Sequence, residues 1–232
     1  MNFRKIIPIV ITLVLAIILI LGTSPLFEIP MNSIIKVSSQ NLNPNGGTCV
    51  ILISWYGCPF GAADSWSIYL ALSSFGKLNF TYGHSDPLDA YPNTPALIFT
   101  GFSPNSSIEF KFVYLYNEFL NSTANGTKVS NYVTYGLNKI KEEFPWTYSI
   151  IKEYVTEKWA SGGFFQPAAY LGNPPHIPTT ILITGKQGTY ILIGYIYNPS
   201  VISGLSPQFV MSHINSIPQI ERGSKTIEAL LS

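Results

Sequence analysis

The chain has 232 residues, a formal net charge of +1 and 11% charged residues, where ordinary soluble domains carry about 25%. A nearly neutral chain without a Lys/Arg cluster gives no electrostatic basis for a nucleic-acid partner. Its 14% aromatic and 47% hydrophobic content is enough apolar material for one sizeable core and excludes a disordered chain.

Arg4 and Lys5 precede residues 6–22, an apolar run that contains no charge and one proline, Pro8. As a helix this run would be about 25 Å long, near the lower limit for crossing a bilayer. The basic flank predicts a single-pass anchor in the cell membrane, with a cytoplasmic N-terminus and everything after residue 24 outside. Residues 1–23 read as a membrane anchor or an uncleaved signal, with a cleaved signal peptide as the rival because Gly22-Thr23-Ser24 offers a small-x-small cleavage site. Four Asn-x-Ser/Thr sequons, at Asn79, Asn105, Asn121 and Asn125, suit an outside domain, and Asn121 and Asn125 lie in the more loop-like sequence.

Residues 24–47, with Pro25, Pro30, Pro44 and Asn45-Gly46-Gly47, predict a stalk whose ordered part is at most a short piece around residues 33–37. A folded domain is expected over residues 48–232. Residues 50–56 have the apolar, β-branched character of a strand covered on both faces. Residues 62–75 follow with helical spacing and an apolar stripe of Trp66, Tyr69, Leu70, Leu72 and Ser73, and Gly76 reads as the stop.

Residues 78–82 suggest a strand, and residues 96–102 and 108–116 two more, paired as a hairpin across Ser103-Pro104-Asn105. Residues 117–131 read as loop. Two helices are expected over 132–144 and 146–160, broken at Pro145, the second with Ile150, Ile151, Tyr154, Val155 and Trp159 on its apolar face. Residues 177–183 and 190–197 make a hairpin around a Gly185–Gly188 turn. Ser206-Pro207 starts a helical tail over 207–215 and 219–231. These elements predict an α/β fold built on a mixed sheet.

The strand-turn-helix unit carries a cysteine in its turn. Trp55-Tyr56-Gly57-Cys58-Pro59-Phe60-Gly61 resembles the thioredoxin active-site turn, and Ile177-Pro178-Thr179 before a strand, a Gly turn and a second strand ending in Gly194 resembles that superfamily's cis-proline hairpin. A narrower resemblance is to the family called domain of unknown function 929. It is carried by Gly57-Cys58-Pro59-Phe60-Gly61-Ala62-Ala63-Asp64-Ser65-Trp66, Ala71-Leu72-Ser73-Ser74-Phe75-Gly76 and Tyr91-Pro92-Asn93-Thr94, and it extends through residues 195–205. These resemblances imply a thioredoxin-like three-layer sandwich with a mixed strand and helix insertion over about residues 83–165. They imply Cys58 as the reactive residue, an active-site turn of Pro59, Phe60 and Gly61, and a substrate edge of His176, Ile177 and a cis Pro178. The narrower family assigns no reaction.

Many of that family's members have Cys-Pro-Tyr-Cys where this chain has Cys58-Pro59-Phe60-Gly61, so the resolving cysteine of a dithiol cycle is missing. Cys49 does not replace it. An extended chain separates the two by up to about 30 Å, and a disulfide needs Cα atoms within roughly 7 Å. Cys58 itself would sit at a helix N-terminus, where the dipole and free amides favour a thiolate. His176 stands where it could tune Cys58. His84, Asp86 and Asp89 read as turn-builders rather than metal ligands, His213 as a surface residue and Trp55 as core.

The expectation is monothiol disulfide exchange, or redox-linked binding of another envelope protein, without metal or cofactor. The alternative is a structural or docking subunit that makes its contacts through residues 96–158.

Overall fold

The computed structural model of the chain describes residues 28–231. Its centre is the strand β3 (Cys49–Ser54), in which every residue is buried. A run of Val, Ile and Leu with no polar alternation demands cover on both faces. It lies inside a five-stranded mixed sheet with helices on both faces. β6 (Glu109–Tyr114) lies parallel to β3 with Cys49 opposite Glu109, and β8 (Thr180–Gly185) lies antiparallel on the other side with Cys49 opposite Thr184. β9 (Gly188–Ile193) returns from β8 in a hairpin, and β2 (Ile35–Ser38) adds the edge, giving the order β2-β9-β8-β3-β6. Gly188 turns the hairpin at φ 112, a conformation that side chains with a Cβ disfavour.

The period of two along β3 divides the core into two layers. Val50 and Leu52 face α1 (Pro59–Leu72) and α5 (Pro218–Glu228), packing with Trp66, Ile68, Leu72, Ile220 and Ile227. Ile51 and Ile53 face the other way, toward α2 (Tyr132–Glu143) and α3 (Tyr148–Lys152), where Ile140, Ile151 and Val155 are fully buried. A second sheet, the hairpin of β4 (Gly76–His84) and β5 (Pro95–Pro104), stands apart from the first. It is fastened to α1 by Trp66 Nε1 donating to the Pro95 carbonyl at 2.7 Å and by the Leu97 amide donating to Ser65 Oγ at 2.9 Å. The chain closes with α4 (Pro207–Ser212), capped by Ser206, whose hydroxyl accepts from the Phe209 amide, and then α5.

Several expectations are corrected. The strands over 96–102 and 108–116 are not a hairpin, because β5 pairs with β4 and β6 with β3. The connection carries the chain between sheets, fixed by the Asn105 amide on the Phe75 carbonyl and the Glu109 amide on the Thr48 carbonyl. Helix α1 begins at Pro59, ends at Leu72 and has no single apolar stripe. It is buried on most sides, while Tyr69 and Leu70 are half-buried and Ser73 is exposed. Gly76 is not its stop but opens β4, where a Cβ would meet the Ser103 carbonyl at 2.6 Å.

The second predicted helix does not run to residue 160. A 3-10 turn at Pro145–Thr147, α3 and a π turn at Glu153–Glu157 lead into β7 (Trp159–Ala160). Ile151 and Val155 keep their buried face, but Lys158 leaves the helix with extended angles, φ −81 and ψ 142.

The stalk is also folded from residue 28 on. Its short ordered piece is the sheet edge β2, and β1 (Glu28–Ile29) runs parallel to β7. The Asn32 amide donates to the Ile193 carbonyl, Leu42 donates its amide to Thr184 Oγ1 at 2.9 Å, and Asn43 is buried. Among the described residues no helix is long and apolar enough to cross a membrane. The anchor over 6–22 and the cleavage site at 22–24 lie outside the described residues.

Candidate functional site

The site is built where β3 ends and α1 begins. After Ser54 the backbone turns through Trp55, Tyr56 and Gly57. The Tyr56 amide donates to the Tyr116 carbonyl at 3.2 Å and the Cys58 amide to the Trp55 carbonyl at 3.1 Å. Gly57 is required because a Cβ there would run into the Glu118 carbonyl. Cys58 is the helix N-cap, with φ −70 and ψ 119, and Pro59 takes the first helical position without loss of a needed donor.

The turn of Cys58, Pro59, Phe60 and Gly61 therefore forms as the sequence predicts, but its chemistry differs. Cys58 is 4% exposed, and its Sγ lies 3.0 Å from Thr179 Oγ1, which is in turn 2.9 Å from Ser54 Oγ. These three side chains form one buried polar chain across the β3–β8 edge of α1. Burial pushes the Cys58 thiol up. The Thr179 hydroxyl and the amides of Gly61 and Phe60 pull the other way without reversing it. A helix N-terminus alone favours a thiolate, but here desolvation wins.

Gly61, where a resolving cysteine would stand, is not an empty place. A Cβ on Gly61 would overlap Ser54 Oγ, come to 2.9 Å from Ser54 Cβ and lie 3.2 Å from Thr179 Oγ1. The serine hydroxyl fills the volume the second side chain would occupy, so the absence of a second cysteine is built into the packing of β3 against α1.

A cavity of about 140 Å³ opens beside the sulfur, lined by Trp55, Cys58, Phe60, Asp89, His176 and Pro178. His176 is packed edge-on against Trp55, with ring centroids 5.7 Å apart, and its Nδ1 lies 2.8 Å from the Pro174 carbonyl. Burial lowers its pKa, partly offset by the Pro174 carbonyl and by Asp89. Asp89 in the β4–β5 connection is shifted upward, chiefly by burial. That connection is tied to the turn by the Asp86 amide on the Gly57 carbonyl at 3.0 Å. Trp55 is 6% exposed, as expected for core, yet its Nε1 has no acceptor among the described residues. Outside the cavity, Phe60 meets Tyr195 at 5.0 Å and Tyr91 at 6.3 Å between ring centroids, and Tyr56 stacks on Tyr114 at 4.8 Å.

The proposed proline edge is corrected in two ways. The cis X-Pro bond among the described residues is Asn173–Pro174, and the Ile177–Pro178 bond is not cis. Ile177 is fully buried and donates its amide to the Tyr116 hydroxyl at 3.1 Å, so it offers nothing to a substrate. Thr179, one residue beyond Pro178, is what reaches the sulfur. The edge of His176, Ile177 and Pro178 is thus half a cavity wall and half core.

Cys49 lies at the far end of β3 and is fully buried, with its thiol pushed up to about 12, mainly by burial. Both cysteines are free. His84 lies 3.8 Å from Glu118 beside Tyr56, and Asp86 accepts from the Leu88 amide in a turn. Among the described residues no three metal-ligating side chains gather. His213 stacks on Phe209 with centroids 4.2 Å apart. Asn79, Asn105, Asn121 and Asn125 are all exposed. The side chains of Asn121 and Asn125 are engaged with Asn117 and Thr123, so Asn79 and Asn105 are the sequons without such ties to their own loop.

Sequence reasoning passed over Ser54, Thr179 and Asp64. The first two had a weak signal, a hydroxyl residue flanking each of two apolar strands. Asp64 lies on α1, fully buried, with Oδ1 accepting from the Ile196 amide at 2.7 Å and Oδ2 without a partner among the described residues. Burial raises its pKa well above that of a free carboxyl, against the pull of the Ile196 amide.

Fold and site together define a mixed-sheet α/β domain with a buried cysteine at the N-cap position of its first helix. Residues 33–232 match the family described as domain of unknown function (DUF929), and the chain belongs to that family. No curated protein and no solved structure matches it.

Proposed function

We propose that this protein is an extracytoplasmic, thioredoxin-like docking module, tethered by residues 6–22, in which the redox position has become part of the fold. The sheet order β9-β8-β3-β6, with only β8 and β9 of these four running against β3 or each other, supports the thioredoxin-like reading. So do a helix after β3, another between β6 and β8, and a cysteine at the N-terminus of the first. On that reading the β4–β5 hairpin, residues 76–104, is the main insertion, and it begins earlier than residue 83.

The observation that carries the docking role is the filled Gly61 position beside a buried, hydroxyl-bonded Cys58. A thiol that is protonated and covered is a poor nucleophile, and one with no resolving partner cannot complete a dithiol cycle. The half-buried aromatic rim of Phe60, Tyr91 and Tyr195, with the exposed Tyr56, is the surface offered to another envelope protein. The cavity against Cys58 favours a second reading, monothiol exchange with an external thiol as the resolving agent.

The two readings separate in one experiment. Full-length protein and Cys58→Ser are compared for turnover of a protein disulfide with glutathione as reductant, and for retention of complexes in their native membranes. The docking role predicts no turnover above the glutathione blank and unchanged complexes in Cys58→Ser. Turnover that disappears in Cys58→Ser would establish the monothiol enzyme instead.

A further inference from the structure

One stretch of the domain gathers four of its exposed large apolar side chains. From Trp159 to His176 the chain contains no Asp, Glu, Lys or Arg. Within that stretch Trp159, Phe164, Phe165 and Tyr170 are exposed, Phe165 at 70%. The loop is tied at its base by the Ala160 amide on the Gln166 carbonyl at 3.0 Å, and Gly162 and Gly163 turn it at φ 99 and 81. Phe165 itself stands at φ 51, a region that bulky residues enter only at a conformational cost. Its ring meets the edge of Trp159 at 6.2 Å between centroids. A loop fastened at its base thus holds two phenylalanines in water, one of them, Phe165, in a backbone shape that suits it poorly.

Its position explains what it is for. β7, which opens the loop, runs parallel to β1 with Glu28 opposite Trp159, and the Ser161 amide donates to the Ile29 carbonyl at 2.8 Å. Only residues 23–27 separate β1 from the end of the apolar run at residue 22. That link spans about 20 Å at full stretch. Wherever residues 6–22 leave the hydrocarbon, the aromatic loop is held near the same leaflet. Tethering raises its effective concentration at the surface. Trp and Tyr favour the headgroup layer, and apolar side chains sink about 5–10 Å into its boundary.

We propose that the Trp159/Phe164/Phe165/Tyr170 loop rests in the outer headgroup layer of the membrane that residues 6–22 anchor, a second contact that fixes the domain's orientation. The inference rests on the reading of residues 6–22 as a membrane span. With no formal charge on the loop, the contact is apolar and independent of lipid headgroup charge. It directs the Cys58 end of the molecule by geometry rather than by flexible tethering.

The test uses full-length protein reconstituted into phosphatidylcholine liposomes, with trifluoromethyl-phenylalanine placed at position 165 or at position 209. Phe209 is 47% exposed on α4, on the α1 side of the sheet, and serves as the distant control. Liposomes are floated after alkaline carbonate extraction, and fluorine linewidths are read with a nitroxide on the lipid acyl chain. A several-fold broadening at 165 with none at 209 is expected. Protein that does not float removes the membrane span, and the loop contact with it. Protein that floats but shows no broadening at 165, or equal broadening at both positions, overturns the loop contact alone.

Discussion

Installing the missing cysteine by Gly61→Cys is expected to destabilise the domain by about 3 kcal/mol, the upper part of the range for overpacking a dense core. The new Cβ would take the space of Ser54 Oγ and crowd Ser54 Cβ at 2.9 Å. Ser54 lies in the central strand, paired with Tyr114 of β6, and Gly61 is buried in the first turn of α1, so neither backbone yields easily. The displaced hydroxyl would also break the Ser54–Thr179–Cys58 chain and leave buried groups unpaired, a further loss of about 1–3 kcal/mol where no new partner forms. Combining the change with Ser54→Gly should recover a large part of the loss, a coupling of the size seen between contacting core residues. Urea denaturation of the four proteins in the cycle reads this directly. A Gly61→Cys protein within 0.5 kcal/mol of the parent would show that the site tolerates a second thiol and that its absence has no packing reason.

The pH dependence of stability should carry the signature of Asp64. Burial raises the folded-state pKa of this carboxyl well above the unfolded value of about 4. The folded state then binds more protons than the unfolded one, so this group's contribution to stability falls as pH rises from about 4 toward the raised folded value. Asp64→Asn preserves the acceptor for the Ile196 amide and has no proton to hold. The variant should match the parent near pH 4, exceed it at pH 8 and show a flatter profile. Asp64→Ala should lose about 1–3 kcal/mol near pH 4, where the Ile196 amide is left without its partner, and the deficit should shrink as pH rises. Parallel profiles for the parent and Asp64→Asn would mean that the buried carboxyl is ionised. The bond matters to the site because it joins the helix capped by Cys58 to the segment that follows β9.

Much of the fold could be read from local pattern. β3, the β8–β9 hairpin, the Ser206 cap and the strand-turn-helix unit all declare themselves in short runs, where periodicity and turn chemistry decide the outcome. What failed was pairing. Nothing local distinguishes a β5–β6 hairpin from two strands in separate sheets, because the choice is made by backbone bonds from Phe75 and Thr48, distant in sequence from the turn. Residues 28–47 read as a stalk because prolines and asparagines dominate them. Sheet-edge pairing to β9 and capping bonds to Thr184 override that composition.

At the site, the turn and its cysteine were visible in the sequence and the state of the cysteine was not. A helix N-terminus argues for a thiolate, and only the three-dimensional burial of Cys58 beneath Thr179, with Ser54 filling the Gly61 space, reverses that argument. The same burial removed Ile177 from the proposed substrate edge and left His176 and Pro178 on the cavity wall.

The central claim is that Cys58 is a covered, protonated thiol at the N-cap of α1. The most direct measurement is the rate of alkylation of Cys58 against pH in the folded protein, with Cys49→Ala to remove the other thiol and Cys58→Ser as the blank. The account predicts slow reaction at neutral pH and an apparent pKa above the free thiol value of about 8.5, with fast reaction only after denaturation. A pKa below 8.5 together with rapid labelling of the native protein at pH 7 would contradict it and return Cys58 to redox chemistry.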